Sequence, residues 1–141
     1  YVLLTNANAE KGYDLILKVA ALLPTVPFDV IASQSPLADA VHAYEAAGLT
    51  NVTAIDRVDD MDPIYSNAAI VVVPSYRFKE SFSRVCIEAQ RYEKPVIGSD
   101  QGNVPYLLEH SGVVLPPALT APSSAGGLSR QATIPVTMSS T

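Results

Sequence analysis

Cysteine is nearly absent from this chain, and long apolar runs are missing altogether. Cys86 is the only cysteine among 141 residues, so an internal disulfide is impossible. Its neighbours Val85 and Ile87 favour a buried, inert thiol over a reactive one. No apolar run approaches the roughly 18–20 residues that cross a bilayer. These absences predict a protein of a reducing compartment, and we expect it to be cytoplasmic, or bound at the membrane surface as part of a longer protein.

Positive charge is also scarce, with 9 Lys and Arg against 14 Asp and Glu and a formal net charge of −5. Binding to the phosphate backbone of nucleic acid needs a basic surface, so the balance excludes nucleic acid as a general partner. Most of the cations nevertheless lie together between positions 57 and 94, namely Arg57, Arg77, Lys79, Arg84, Arg91 and Lys94. This clustering predicts a small anionic ligand that is held locally.

Several familiar signatures of enzyme sites do not occur. The chain contains neither the Gly-x-Gly-x-x-Gly fingerprint of dinucleotide binding nor the Gly-x4-Gly-Lys-Ser/Thr spacing of a P-loop. His42 and His110 are the only histidines, and no His, Cys, Asp and Glu spacing suits a metal ion. The sequence therefore predicts no metal site and disfavours a nicotinamide-dependent oxidoreductase.

The chain does contain a regular alternation of apolar strands and amphipathic helices. The pattern predicts strands over residues 1–5, 28–32, 51–55, 69–73, 95–98 and 113–115, and helices over 12–23, 36–48, 62–67, 82–92 and 103–110. Ser35 is the expected cap of the second helix. Strands that are apolar throughout are typical of a parallel sheet covered on both faces. We predict a doubly wound, Rossmann-like α/β domain of about six strands over residues 1–115.

Residues 116–141 break this pattern. They are rich in Pro, Ser and Gly and carry one charged residue, Arg130. Such a composition cannot bury enough apolar surface to form a core, so we predict an irregular or disordered tail. Tyr1 begins directly in a strand-like run, and we expect the chain to be part of a larger protein.

Three positions carry possible chemistry. Lys11 follows the first strand at the start of a helix, where the helix dipole favours a phosphate, although a solvated lysine is also common there. Glu80 and Glu88 stand with seven residues between them across the start of the 82–92 helix. Taken singly, Glu80 suits the positive end of that helix, and Glu88 could pair with Arg84 one turn away.

Four sequence words occur in order: Glu-Lys-Gly at 10–12, a 65–75 stretch ending in Val-Pro-Ser, Glu-x-Phe-x-Arg-x-x-x-Glu-Ala at 80–89, and Lys-Pro-Val-Ile-Gly-Ser at 94–99. Together they resemble the C-terminal, nucleotide-sugar-binding domain of retaining GT-B glycosyltransferases of the family 4, or "group 1", type. The resemblance covers roughly residues 1–115. It implies a donor substrate, a UDP or GDP sugar, and no cofactor. The acceptor, a saccharide or lipid-linked molecule as in polysaccharide biosynthesis, would be bound mainly by an N-terminal domain that this chain lacks.

The resemblance also implies a role for each matching residue. The donor diphosphate would be held by Lys11 and the backbone of Phe82, Ser83 and Arg84. Glu88 would accept hydrogen bonds from the ribose, and Glu80 would contact the transferred sugar. The loop with Asp56, Arg57 and Val58 would border the base. A carboxylate can accept two hydroxyls from a diol, and a lysine beside a helix start suits a diphosphate, so the chemistry agrees with these roles.

The chain departs from the family pattern at three places. Thr5-Asn6 replaces a Gly-Arg pair, Ser83 replaces a glycine, and the Gly-Gly-x-x-Glu word reads Gly-Asn-Val-Pro-Tyr at 102–106. The pattern thus loses one cation and one acid. A nucleotide-sugar-binding module without turnover is therefore the main alternative to an enzyme fragment, and a dinucleotide-dependent oxidoreductase domain is a weaker one.

Overall fold

The computed structural model describes residues 1–76, 83–109 and 111–115. In this part of the chain six parallel strands form one sheet: β1 (Val2–Leu4), β2 (Phe28–Ala32), β3 (Val52–Asp56), β4 (Ile70–Val73), β5 (Val96–Ser99) and β6 (Gly112–Leu115). The strands connect through α1 (Tyr13–Leu22), α2 (Leu37–Ala46), α3 (Asp62–Asn67), α4 (Arg84–Arg91) and α5 (Val104–Leu107). The predicted α/β fold is confirmed.

The strand order is β3-β2-β1-β4-β5-β6. Strands β2 and β3 are therefore added on one side of β1, and strands β4, β5 and β6 on the other side, so the order switches between β1 and β4. Leu3 pairs with Val71 and Leu4 with Val72 at this junction. Both strands are parallel and end at the same edge of the sheet, so the loops that follow them diverge there and leave a crevice. This switch point is where open α/β sheets bind their ligands.

Alternate residues of the strands supply two separate cores, one on each face of the sheet. Leu3 and Val71 belong to the core that also holds Cys86, whereas Leu4 and Val72 belong to the opposite one. Burial on both faces explains why the strand sequences are apolar throughout. Cys86 is completely buried, which confirms the expected buried thiol.

Within the described residues, four of the five helices are shorter than the sequence-based ranges, and α2 and α5 are two of them. Ser35 does not cap α2; its Oγ donates instead to the carbonyl oxygen of Ala7 at 2.9 Å, and Pro36 occupies the N-cap position. The competing acceptor comes from the loop after β1, which sequence alone could not place beside Ser35. Helix α5 covers only Val104–Leu107, shorter than the predicted 103–110.

Other predictions fall partly outside the described residues. They include Glu80, Phe82 and the 116–141 tail, so the predicted domain boundary at residue 115 stays a prediction. Among the helices that the structure describes, none is long and apolar enough to cross a membrane.

Candidate functional site

A cleft of about 580 Å³ opens at the carboxyl edge of the sheet, above the junction of β1 and β4. Its walls come from the loops after β1, β2, β3 and β4 and from the start of α4. Six of the residues predicted from sequence line it together, namely Lys11, Arg57, Val58, Ser83, Arg84 and Glu88. The remaining two, Glu80 and Phe82, lie outside the described residues. Residues spread over 78 positions of sequence thus converge on one cleft.

The loop after β1 holds Lys11 through a short local network. Asn8 accepts hydrogen bonds on Oδ1 from the backbone N–H groups of Glu10 at 2.8 Å and Lys11 at 3.3 Å. These bonds cap the single 3₁₀ turn Ala9–Lys11. Gly12 then ends the turn in a left-handed conformation and starts α1. Lys11 therefore lies between the cap formed by Asn8 and the left-handed turn at Gly12, and both fix the course of its backbone.

Gly12 also lies against the loop that follows β4. A Cβ atom at this position would lie 2.3 Å from the carbonyl oxygen of Pro74, in the loop after β4. The hydroxyl of Ser99 donates to the carbonyl oxygen of Ser75, holding that loop from its other side. The spacing between Lys11 and the β4 loop therefore depends on glycine at position 12.

The loops after β1 and β2 are joined residue by residue. Ser33 Oγ donates to Thr5 O at 2.9 Å, and Asn6 Nδ2 donates to Gln34 Oε1 at 3.0 Å. Ser35 completes the series with its bond to Ala7. In the family pattern described above an arginine takes the place of Asn6. In this chain the Asn6–Gln34 amide pair therefore lines the cleft where the pattern has a guanidinium group.

Helix α4 begins at the cleft. Its N-cap Ser83 and its first two residues, Arg84 and Val85, all line the cleft. Ser83 is 3% exposed, and its Oγ accepts a hydrogen bond from the backbone N–H of Cys86 at 3.4 Å. The serine that replaces the family glycine thus turns its side chain into the helix as an N-cap. The positive end of the α4 dipole remains directed at the cleft.

Glu88 lies one turn further along α4 and is partly buried. Its Oε2 accepts a hydrogen bond from the hydroxyl of Tyr65 at 2.8 Å. No ion pair joins Glu88 to Arg84, both of which the structure describes, so the alternative reading of Glu88 as a salt-bridge partner is wrong. Burial and the hydrogen bond to Glu88 raise the pKa of Tyr65, which keeps its hydroxyl protonated as a donor.

Tyr65 is the contributor that sequence reasoning missed. In the sequence it stands only at the start of the 65–75 stretch, yet in the structure it is 1% exposed and lines the same cleft as Glu88. A buried tyrosine hydroxyl almost always needs a partner, and that requirement was a usable signal. The sequence could not name the partner, because the two residues are 23 positions apart and a strand lies between them.

The loop after β3 forms the opposite wall, where Arg57, Val58 and Met61 line the cleft. Asp56 Oδ1 accepts from the backbone N–H of Arg57 at 2.8 Å, and Asp60 Oδ1 accepts from that of Asp62 at 2.9 Å. These two turns give the loop a defined shape. The cleft as a whole thus presents cations and a helix N-terminus near one carboxylate, with apolar side chains beside them.

The family model described as Glycosyl transferases group 1 matches residues 2–130. The chain belongs to this family. The match confirms the resemblance inferred from the four sequence words. Two curated relatives agree with it. The D-inositol 3-phosphate glycosyltransferase of Mycolicibacterium vanbaalenii is 33% identical, over 67% of this chain and 24% of that protein. The D-rhamnosyltransferase WbpZ of Pseudomonas aeruginosa is 36% identical, over 65% of this chain and 26% of that protein.

Solved structures of glycosyltransferases share the fold. Sucrose-phosphate synthase from Thermosynechococcus elongatus superimposes with a TM-score of 0.70 at 26% identity, covering 84% of this chain and 34% of that one. HepE of Anabaena, solved in complex with UDP-glucose, has a TM-score of 0.70 at 22% identity, covering 82% and 34%. The chain thus spans about a quarter of the curated relatives and a third of these structures.

Proposed function

We propose that the cleft binds the nucleoside diphosphate of a nucleotide-sugar, and that the chain is the donor-binding part of a retaining glycosyltransferase. The observation that carries the proposal is the convergence of Lys11, the N-terminus of α4 and Glu88 on one cleft at the switch point. In this proposal another domain of the whole protein binds most of the acceptor, a saccharide or lipid-linked molecule. Family membership supports the reaction class.

The diphosphate is assigned to the space between Lys11 and the start of α4. A lysine ammonium makes charge-assisted hydrogen bonds to phosphate, and backbone N–H groups at a helix start add donors of fixed direction. Arg57 and Arg84 line the same cleft and can replace the cation that Asn6 removes. During transfer, these groups stabilise the negative charge that develops on the departing diphosphate.

The nucleoside is assigned to the side of the cleft that holds Glu88 and the loop after β3. An ionised carboxylate is an acceptor only, which suits the two hydroxyls of a ribose. Val58 and Met61 offer apolar surface to a base. Glu80 is assigned to the transferred sugar because of its place in the family pattern. The HepE complex with UDP-glucose shows that a protein of this fold binds such a donor.

Thermal unfolding tests the proposal. UDP, GDP, ADP, UDP-glucose, GDP-mannose and NAD⁺ are each added to the chain. A ligand at a hundred times its Kd stabilises the folded state by about 2.7 kcal/mol, so at least one nucleoside diphosphate should raise Tm by several degrees. Stabilisation by NAD⁺ alone would contradict the proposal and favour the oxidoreductase alternative. Transfer assays on the full-length protein separate an enzyme from a binding module without turnover.

Substitutions of the two glutamates should have different effects. Glu88→Gln should weaken free diphosphate and nucleotide-sugar alike by about 1 kcal/mol, since both ligands contain ribose and glutamine keeps only a neutral acceptor. Glu80→Gln should spare the free diphosphate, weaken the nucleotide-sugar and lower kcat in the full-length protein. Calorimetry with both ligands measures the difference. Wild-type affinities in both variants would show that the two acids are structural.

A further inference from the structure

Glu88 is held by a side chain that is buried beneath the cleft. Tyr65 is 1% exposed, and its hydroxyl donates to Glu88 Oε2 at 2.8 Å. Glutamate has three rotatable side-chain bonds, so an unrestrained carboxylate loses conformational freedom when a ligand orders it. The tyrosine imposes that order before any ligand arrives.

Tyr65 is itself fixed by a second tyrosine. The rings of Tyr65 and Tyr92 are stacked, with centroids 5.4 Å apart and planes within 7° of each other. The hydroxyl of Tyr92 donates to Asp62, in the first turn of α3. The stack therefore joins α3 to the end of α4, and the loop after β3 leads directly into α3. Of these two rings, Tyr65 lines the cleft and Tyr92 does not.

We propose that Tyr65 is a positioning residue for ribose recognition, holding the Glu88 carboxylate in the orientation that accepts the ribose 2′-hydroxyl. The inference depends on the proposed function, which assigns the ribose to Glu88. One oxygen of the carboxylate is tied to the tyrosine, and the remaining acceptor positions serve the ligand. The tyrosine touches no reacting atom, and its effect is transmitted through Glu88.

A purely structural role for Tyr65 would affect all ligands equally, whereas positioning affects those with a 2′-hydroxyl. The probes are UDP, GDP and ADP, each compared by calorimetry with dUDP, dGDP and dADP. For whichever base binds, the wild type should bind the ribose nucleotide about tenfold more tightly than the deoxyribose nucleotide. That ratio corresponds to one hydrogen bond to a charged acceptor. Tyr65→Phe, which keeps the ring, should reduce this preference to about twofold or less and leave the deoxy form nearly unchanged.

Tyr92→Phe is the matched control, because it removes a hydroxyl from the same stack without touching Glu88. It should retain the tenfold preference. Glu88→Asp provides a second test should Tyr65→Phe fail to fold, since aspartate keeps the charge but is too short to hold the same position. It should also lose the preference.

Three results would overturn the positioning role. The first is a preserved ribose preference in Tyr65→Phe or, if that variant does not fold, in Glu88→Asp. The second is an equal loss of affinity for the ribose and deoxyribose forms in Tyr65→Phe, and the third is the same loss of preference in Tyr92→Phe. A wild type that binds both forms equally would refute this inference and leave diphosphate binding intact. Absence of binding by all six probes would refute the proposed function as well.

Discussion

Replacement of Gly12 by alanine is expected to destabilise the fold by about 2–5 kcal/mol and to weaken nucleotide binding. The residue has a φ of +90°, which costs an L-residue about 1–2 kcal/mol. An added Cβ would also lie 2.3 Å from Pro74 O and 2.7 Å from Pro74 Cγ. The first of these atoms is backbone, so the two loops must separate, and a forced fit of this kind costs about 1–3 kcal/mol more. Urea unfolding measures the loss as a lower midpoint at unchanged slope.

Gly48 offers a matched control for the cost of the left-handed backbone conformation without a steric contact. Its φ is +69°, and a Cβ there would meet nothing within 4 Å. Gly48→Ala should therefore cost only the conformational part, about 1–2 kcal/mol, and leave ligand binding unchanged. Equal losses in the two variants would show that the contact with Pro74 relaxes freely and does not set the spacing of the cleft.

Replacement of Lys11 by alanine is expected to weaken nucleoside diphosphate binding by about 1.5–3 kcal/mol, the size of a charge-assisted hydrogen bond. Binding of the corresponding nucleoside should hardly change, because it lacks the phosphates. The neutral Asn6–Gln34 pair cannot take over the charge of the lysine, which leaves Arg57 and Arg84 to limit the loss. Calorimetry with both ligands, UDP and uridine for example, measures the effect.

Lys18→Ala serves as the control, since Lys18 is exposed on α1 and does not line the cleft. It removes one positive charge, as Lys11→Ala does, and should leave both affinities unchanged. Equal weakening of diphosphate and nucleoside in Lys11→Ala would mean that the residue shapes the loop and does not hold phosphate. Equal weakening in both lysine variants would indicate a long-range charge effect.

The fold could be predicted because its signals are local and repeated. The run Ile70 to Val73 is apolar at every position, which only a strand buried on both faces requires, and the other strands repeat the pattern. The sequence also indicates where helices end, because a proline cannot continue a helix. Pro24, for example, follows the last turn of α1. Backbone geometry of this kind is determined mainly by neighbouring residues.

The contacts within the cleft depend on distant residues, and sequence predicted them less well. The convergence of Lys11, Ser83 and Glu88 followed from the family resemblance and the switch-point rule. Ser35 could cap its own helix or bond Ala7, and only the packing of β1 beside β2 decides between these partners. The Tyr65 bond to Glu88 likewise depends on how α3 and α4 pack together.

Amide hydrogen exchange, with and without the nucleoside diphosphate that stabilises the chain most, tests the location of the bound ligand most directly. The proposed binding mode predicts slower exchange in two segments, residues 10–13 after β1 and 84–86 at the start of α4. It predicts no change at residues 22–26, the last residue of α1 and the loop after it, which lie at the opposite edge of the sheet. Protection confined to residues outside the cleft, or binding without protection at either predicted segment, would contradict the assignment of this cleft as the nucleotide site.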